Sequence, residues 1–284
     1  LAALGKPHGF RYDVRRYEMY GATRFGMLDD HSPLPELDLL VVAPHPDDAE
    51  ISAGGLILKA RSEGLRVGVL DLTNGEPTPR GSVELRARES AAAGAILQLD
   101  WRGNAGLPNR SLEETLDARR AVASVFRRTR PTVIAAPYWE DAHPDHVAAT
   151  AIIEAARFWA KLSRSDIPGE PWHPAQVLYY FSIHLRIHPQ PAFVLDISDQ
   201  FETKQASIGC YASQFPAGPD GTPHASLGDI RDRARYWGWS IGRKYGEPYA
   251  TREPLGVTEV RGLDLWKERP LPQSAASNSP PGTR

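Results

Sequence analysis

Five apolar residues in succession, Leu39-Leu40-Val41-Val42-Ala43, stop abruptly at Pro44-His45-Pro46. A strand with one wet face alternates apolar and polar residues, whereas an unbroken run marks a strand covered on both faces, as in a parallel sheet between helices. The pattern recurs. Short apolar runs at 66–72, 99–102, 132–136, 176–181 and 192–196 read as strands, and they alternate with helical periodicity over 52–63, 83–97, 112–128 and from the end of the polar loop 138–143 through 161. Such alternation specifies βα units, so the expected fold is α/β: a Rossmann-like, doubly wound, mostly parallel sheet flanked by helices. In these sheets the site is built by loops past the carboxyl ends of the strands.

The 284 residues, 41% of them hydrophobic, suit one large domain with appendages. The expected division is an N-terminal extension over 1–36, which interleaves Arg and Tyr and closes on Ser32-Pro33-Leu34-Pro35, a catalytic domain over 37–269, and a tail over 270–284 whose Pro, Ser, Asn and Gly content predicts disorder. A net charge of −2 leaves no electrostatic footprint for nucleic acid. No stretch approaches the roughly 18 apolar residues that a membrane span needs. A cytoplasmic enzyme with neither nucleic-acid nor membrane partners is the expectation. Cys210 is the only cysteine, which excludes an internal disulfide and a Cys-x-x-Cys metal site, so the chemistry falls to His, Asp and Glu.

Two clusters stand where that chemistry belongs. His45-Pro46-Asp47-Asp48 follows the first strand, and His143-Pro144-Asp145-His146 opens a later helix. His45 and Asp48, three apart at a strand-to-helix turn, can converge on one ion, and His146 can add a second imidazole from a neighbouring strand end. Three ligands drawn from His and carboxylate, with a fourth position open, are the arrangement of a catalytic zinc site, one ion per chain. Asp47 then stands where a base could take the proton of a water. His143 can face the reacting carbonyl and stabilise an oxyanion, with Asp145 holding its tautomer. The competing reading of each His-Pro-Asp is a turn with an Asp cap on a helix N-terminus; capping alone does not require the second His or Asp that follows in both clusters.

Ala43-Pro44-His45-Pro46-Asp47-Asp48-Ala49-Glu50 with Gly54-Gly55, followed by Pro137-Tyr138-Trp139-Glu140-Asp141 and His143-Pro144-Asp145-His146, resembles the LmbE-like, or PIG-L, deacetylase family. The likeness runs from about Leu37 to Phe215 and is strongest to the branch acting on N-acetylglucosaminyl malate in bacillithiol synthesis. It implies a Rossmann-like zinc enzyme that deacetylates N-acetylglucosamine conjugates, with His45, Asp48 and His146 on zinc, Asp47 as general base and His143 assisting the oxyanion or the leaving amine. By the same resemblance Arg86 reaches the substrate; the alternative is an ion pair with Glu84 or Glu89 on its own helix. Asn109 stands where that branch carries Asp, and Ala142 where it carries Arg, so both bear on what lies beyond the sugar.

The partner expected is a small amino-sugar substrate, and homo-oligomers among relatives make self-association an expectation. Rival readings are a deacylase of another N-acyl compound, such as a chito-oligosaccharide, glycopeptide or inositol conjugate, and a non-catalytic metal- or sugar-binding module. Trp237, Trp239 and Tyr245 are read as core, or else as a rim for sugar rings. Asp220-Gly221 marks a connecting loop or flap, and His184 and His188, beside Pro189, are set aside as metal ligands.

Overall fold

The computed structural model describes residues 33–187 and 189–257. The extension before residue 33, the tail over 270–284 and His188 lie outside the described residues. Strand β1 (Leu39–Ala43), helix α1 (Asp48–Ser62), β2 (Val67–Thr73), α2 (Val83–Ile96), β3 (Trp101–Leu107), α3 (Leu116–Thr129), β4 (Val133–Pro137), α4 (Pro144–Ala160) and β5 (Gln176–Tyr180) alternate as expected. They are followed by β6 (Phe193–Asp196), α5 (Phe201–Ile208), α6 (Ala225–Ser240) and β7 (Gly246–Ala250). The chain divides into two compact units, Leu1–Glu253, which holds all of these elements, and Pro254–Arg284.

The seven strands form one sheet in the order β3-β2-β1-β4-β5-β7-β6. Pairing is parallel from β3 through β5, and β7 runs antiparallel to both β5 and β6. The strand order reverses between β1 and β4, which opens a crevice at their carboxyl ends.

The apolar run that opens the domain is divided by strand alternation between two cores. Leu40 and Val42 pack with Leu70, Ile134, Val122 and Phe126 in one cluster, while Leu39, Val41 and Ala43 pack with Ala49, Ala53, Ile57 and Val69 in another. Each fully buried Leu, Val or Ile here contributes roughly 1.5–3 kcal/mol of transfer free energy.

Three elements depart from the expected pattern for local reasons. Helix α1 begins at Asp48 rather than at 52, one turn nearer the strand end, and its Gly55 lets the helix approach Ile197 and Glu247: a Cβ there would lie 2.4 Å from Ile197 Cγ2. Strand β3 extends through Gly103-Asn104-Ala105-Gly106, a composition that argues for a turn, because its backbone pairs with β2. The Gly246-Glu247-Pro248 segment, for which no strand is expected and whose Gly and Pro disfavour one, forms the interior strand β7 between β5 and β6. Of the aromatic residues considered for a sugar rim, Tyr245 is buried against Phe201, Trp237 is half-buried, and Trp239 is 74% exposed.

Candidate metal centre and active site

The carboxyl end of β1 leads into a tight turn. Thr73 on β2 donates to Pro44 O from both its amide (3.1 Å) and its hydroxyl (3.0 Å), which ties the turn to the neighbouring strand. Asp47 then adopts φ 123°, a conformation that costs a non-glycine residue about 1–3 kcal/mol. It stands at the N-cap of α1 but its carboxylate makes no cap hydrogen bond. The carboxylate instead accepts from Arg86 Nη1 at 3.1 Å, and the same nitrogen donates to Pro46 O at 3.0 Å. The strained turn therefore presents Asp47 to the crevice and forgoes the capping that would explain an isolated His-Pro-Asp.

Asp48 is the point of convergence. Its Oδ2 lies 3.1 Å from His45 Nδ1 and 3.3 Å from His146 Nε2. His146 Nε2 is buried and, 3.3 Å from the Asp48 carboxylate, makes no hydrogen bond of good geometry among the described residues. The far nitrogens of both imidazoles are held: His45 Nε2 lies 3.1 Å from Asp145 Oδ2, and His146 Nδ1 lies 3.1 Å from Asp141 Oδ2. A carboxylate behind each histidine is the arrangement that orients imidazoles toward a metal ion. Asp141 is positioned in turn by the Ser182 hydroxyl and by the His143 amide at 2.8 Å, and Asp145 by the amides of Arg110 (2.8 Å) and Leu112 (3.2 Å).

Among the described residues two triads bring donor atoms within 4.8 Å of one another: His45, Asp48 and His146, and His45, His143 and Asp145. The chemistry of the donors favours the first. Both carboxylate oxygens of Asp145 already accept backbone amides, and His143 Nδ1 is occupied as the N-cap acceptor for the Asp145 amide at 3.2 Å. In the first triad two imidazole nitrogens and one carboxylate oxygen face a common point, a set suited to zinc and to other late divalent metals.

The electrostatics agree with a cation site. Burial disfavours charge on His146, but Asp48 and Asp141 outweigh it and push the imidazole up to about 10. Burial likewise opposes ionisation of Asp48, yet His146 and His45 hold its carboxyl well below the usual range. Burial pushes Asp47 up to about 7, with Arg86 pulling the other way. His143 is lowered by burial and then by His146 and His45, which keeps it neutral. Since its Nδ1 accepts an N–H, the neutral ring carries its proton on Nε2 and can donate outward.

Two expectations are corrected by this geometry. Asp145 does not hold the tautomer of His143, because its carboxylate turns back onto His45 and the Arg110 and Leu112 amides; the cap bond does that instead. Arg86 pairs with neither Glu84 nor Glu89. Its side chain is 3% exposed, its Nε is 3.7 Å from Glu76, and it supports Asp47 from behind rather than presenting a guanidinium to the crevice. His184, set aside as a metal ligand, belongs to neither triad, although its ring lies 5.5 Å from those of both His143 and His146. Asn109 occupies the turn beside Arg110 and makes no side-chain hydrogen bond among the described residues.

Sequence reasoning also passed over Asp141 and the layer beneath the site. Asp141 had a signal, an acid five residues ahead of His146 in a strand-end loop. The layer had none. Arg102 on β3 makes a bidentate pair with Asp71 on β2 (2.8 and 2.9 Å) and reaches Glu50 on α1 at 2.5 Å, while Tyr211 donates to Glu50 at 3.0 Å. This buried bridge anchors the first turn of α1, and with it Asp48.

The profile of the family described as "PIG-L: GlcNAc-PI de-N-acetylase" matches residues 40–157. The diacetylchitobiose deacetylase of Thermococcus kodakarensis is 31% identical over 247 residues, spanning 80% of this chain and 84% of that protein. The 4-oxalmesaconate hydratase of Pseudomonas putida is 28% identical over 197 residues, 63% of this chain and 75% of the hydratase. Among solved structures, the conserved protein TT1542 from Thermus thermophilus superposes with a TM-score of 0.72 at 39% identity, covering 78% of this chain and 97% of that one.

Proposed function

We propose, from the premise that this chain belongs to the PIG-L family of metal-dependent N-deacetylases, that it removes the acetyl group from the amino sugar of an N-acetylglucosamine conjugate. His45, Asp48 and His146 hold one divalent ion, zinc in this reading. The single observation that carries the proposal is the paired arrangement of carboxylate behind imidazole on both sides of Asp48, with Asp47 free of capping duty beside it.

When bound, the ion supplies Lewis acidity and makes water acidic enough to lose a proton near neutral pH. The rest is done by the chain's own side chains. Asp47, 15% exposed and steadied by Arg86, takes a proton from water as the water oxygen attacks the acetamide carbon. His143 donates from Nε2 to the carbonyl oxygen as negative charge builds there, and its cap bond keeps that nitrogen protonated. Asp47 then returns the proton to the nitrogen as the C–N bond breaks, and acetate and a free amine leave. Asp145 and Asp141 orient His45 and His146.

The deciding assay is acetate release from N-acetylglucosaminyl malate, an N-acetylglucosaminyl inositol, diacetylchitobiose and N-acetylglucosamine, using metal-loaded protein. Turnover of at least one conjugate above the simple sugar is expected. No acetate from any of them, together with hydration of an unsaturated acid of the kind named for the Pseudomonas putida relative, would replace this reading with a lyase.

A further inference from the structure

A second cavity opens at the same edge of the sheet. Tyr180 pairs with Tyr249 in antiparallel register, so Phe181 and the Gly246-Glu247-Pro248 end of β7 lie at the carboxyl end of β5, next to Ser182 and the Asp141–His146 pair. One wall is α1, through Ile51 and Ser52, one turn beyond Asp48. The other is a single face of α6, where Ile230, Arg233, Ala234 and Trp237 recur at helical spacing.

The polar groups of this cavity are unequal. Lys204 is neutralised by Glu247 at 2.6 Å, and the Glu247 carboxylate is filled by the amides of Gly55 (2.7 Å) and Leu56 (2.9 Å) and the Tyr249 hydroxyl (2.8 Å). Two donors are left over. Arg233 makes no hydrogen bond or ion pair among the described residues, although it is half-buried. Ser52 is 5% exposed, and its buried hydroxyl has no hydrogen-bond partner among the described residues. Burial holds the Arg233 guanidinium below its usual range, and only the more distant Asp141 offsets this. A buried hydroxyl without a partner calls for an acceptor, and the unpaired guanidinium of Arg233, on the facing helix, supplies the positive charge for one. The walls that Phe181, Ile51 and Trp237 add are apolar, so the acceptor should be anionic at one end and apolar at the other.

We propose that this cavity is a second ligand site, for a free short-chain carboxylate, with the guanidinium of Arg233 and the hydroxyl of Ser52 as its donors and the rings of Phe181 and Trp237 around the alkyl end. Acetate is the carboxylate to test first, a choice that rests on the deacetylase reading; the site itself does not. A planar guanidinium matches a carboxylate fork, whereas a phosphate would leave oxygens facing apolar walls.

The test titrates carbon-13-labelled acetate into the metal-loaded full chain, at ionic strength held with chloride, and follows the acetate resonance. Wild type should bind saturably, and Arg233→Gln should weaken binding by about tenfold or more, the loss expected for one charge-assisted bond, with metal content unchanged. Ser52→Ala should weaken acetate several-fold while leaving Tm unchanged or higher, since it removes a buried hydroxyl that lacks a partner. Propionate should compete, and inorganic phosphate should not. Equal acetate affinity in wild type and Arg233→Gln overturns the proposal, because the acetate then sits elsewhere, the metal included. So does a Ser52→Ala variant with lowered Tm and unaltered affinity, or phosphate binding as tightly as acetate. Absence of deacetylation in the substrate panel would defeat the proposed reaction and leave this binding result standing.

Discussion

Asp47 combines a φ of 123°, a carboxylate pushed up to about 7 by burial and a salt bridge to a buried arginine, all at one residue. None of these features is needed to start a helix. Asp47→Asn should therefore retain metal and fold, yet lose on the order of 10²–10⁴-fold in kcat, the usual worth of a general base. Normal turnover by that variant in its metal-loaded form would remove Asp47 from the mechanism. His146→Ala should fail differently, losing metal as measured by elemental analysis. Asp145→Asn tests the support behind His45, whose Nε2 would no longer meet a full carboxylate. Metal affinity is expected to drop about 10–100-fold, read by competition with a chelator. An unchanged affinity would mean that the paired amides, not His45, are the reason for Asp145.

At the scale of elements, the strand ends are pinned by polar bonds that respond to pH. Asp38 accepts the Arg66 amide at 2.7 Å where β1 and β2 begin, and this bond, then the Arg66 side chain, lowers its carboxyl below the ordinary 3.8. Because the folded value lies below the unfolded one, the stabilisation is fully present above the unfolded value and is lost as pH falls through the folded one. Asp38→Asn should be less stable than wild type at neutral pH, by under about 1 kcal/mol given the solvent exposure of the pair. The difference should narrow by about pH 3, below the unfolded value, and close only once the lowered folded carboxyl is protonated as well. Denaturant midpoints at the two pH values measure this, and a constant difference would refute the assignment. Helix α1 illustrates a second element-scale constraint. Its Gly55 is where the helix meets Ile197 and Glu247, with no room there for a Cβ.

For the whole molecule, the reversal of strand order between β1 and β4 brings two clusters a hundred residues apart into one crevice. A cation held there joins the ends of β1 and α4 and binds the folded state, so chelation should lower Tm. The linkage is worth about 2.7 kcal/mol at a free metal concentration 100 times Kd. A Tm indifferent to chelator would argue against the site as a metal centre. The apolar run at Leu39–Ala43 was enough to specify a strand buried on both faces, and the His and Asp clusters at strand ends were enough to point to a metal. Those are signals of local composition and period, which survive in one dimension. Strand β7 was hidden because Gly and Pro oppose a strand locally, and only pairing with β5 and β6 overrides them. The partners of Asp145 and Arg86, the approach of His184, and the cavity around Arg233 and Ser52 were decided by the tertiary structure alone. Which nitrogen meets which carboxylate depends on how distant helices and strand ends are packed, and no spacing along the chain encodes that distance.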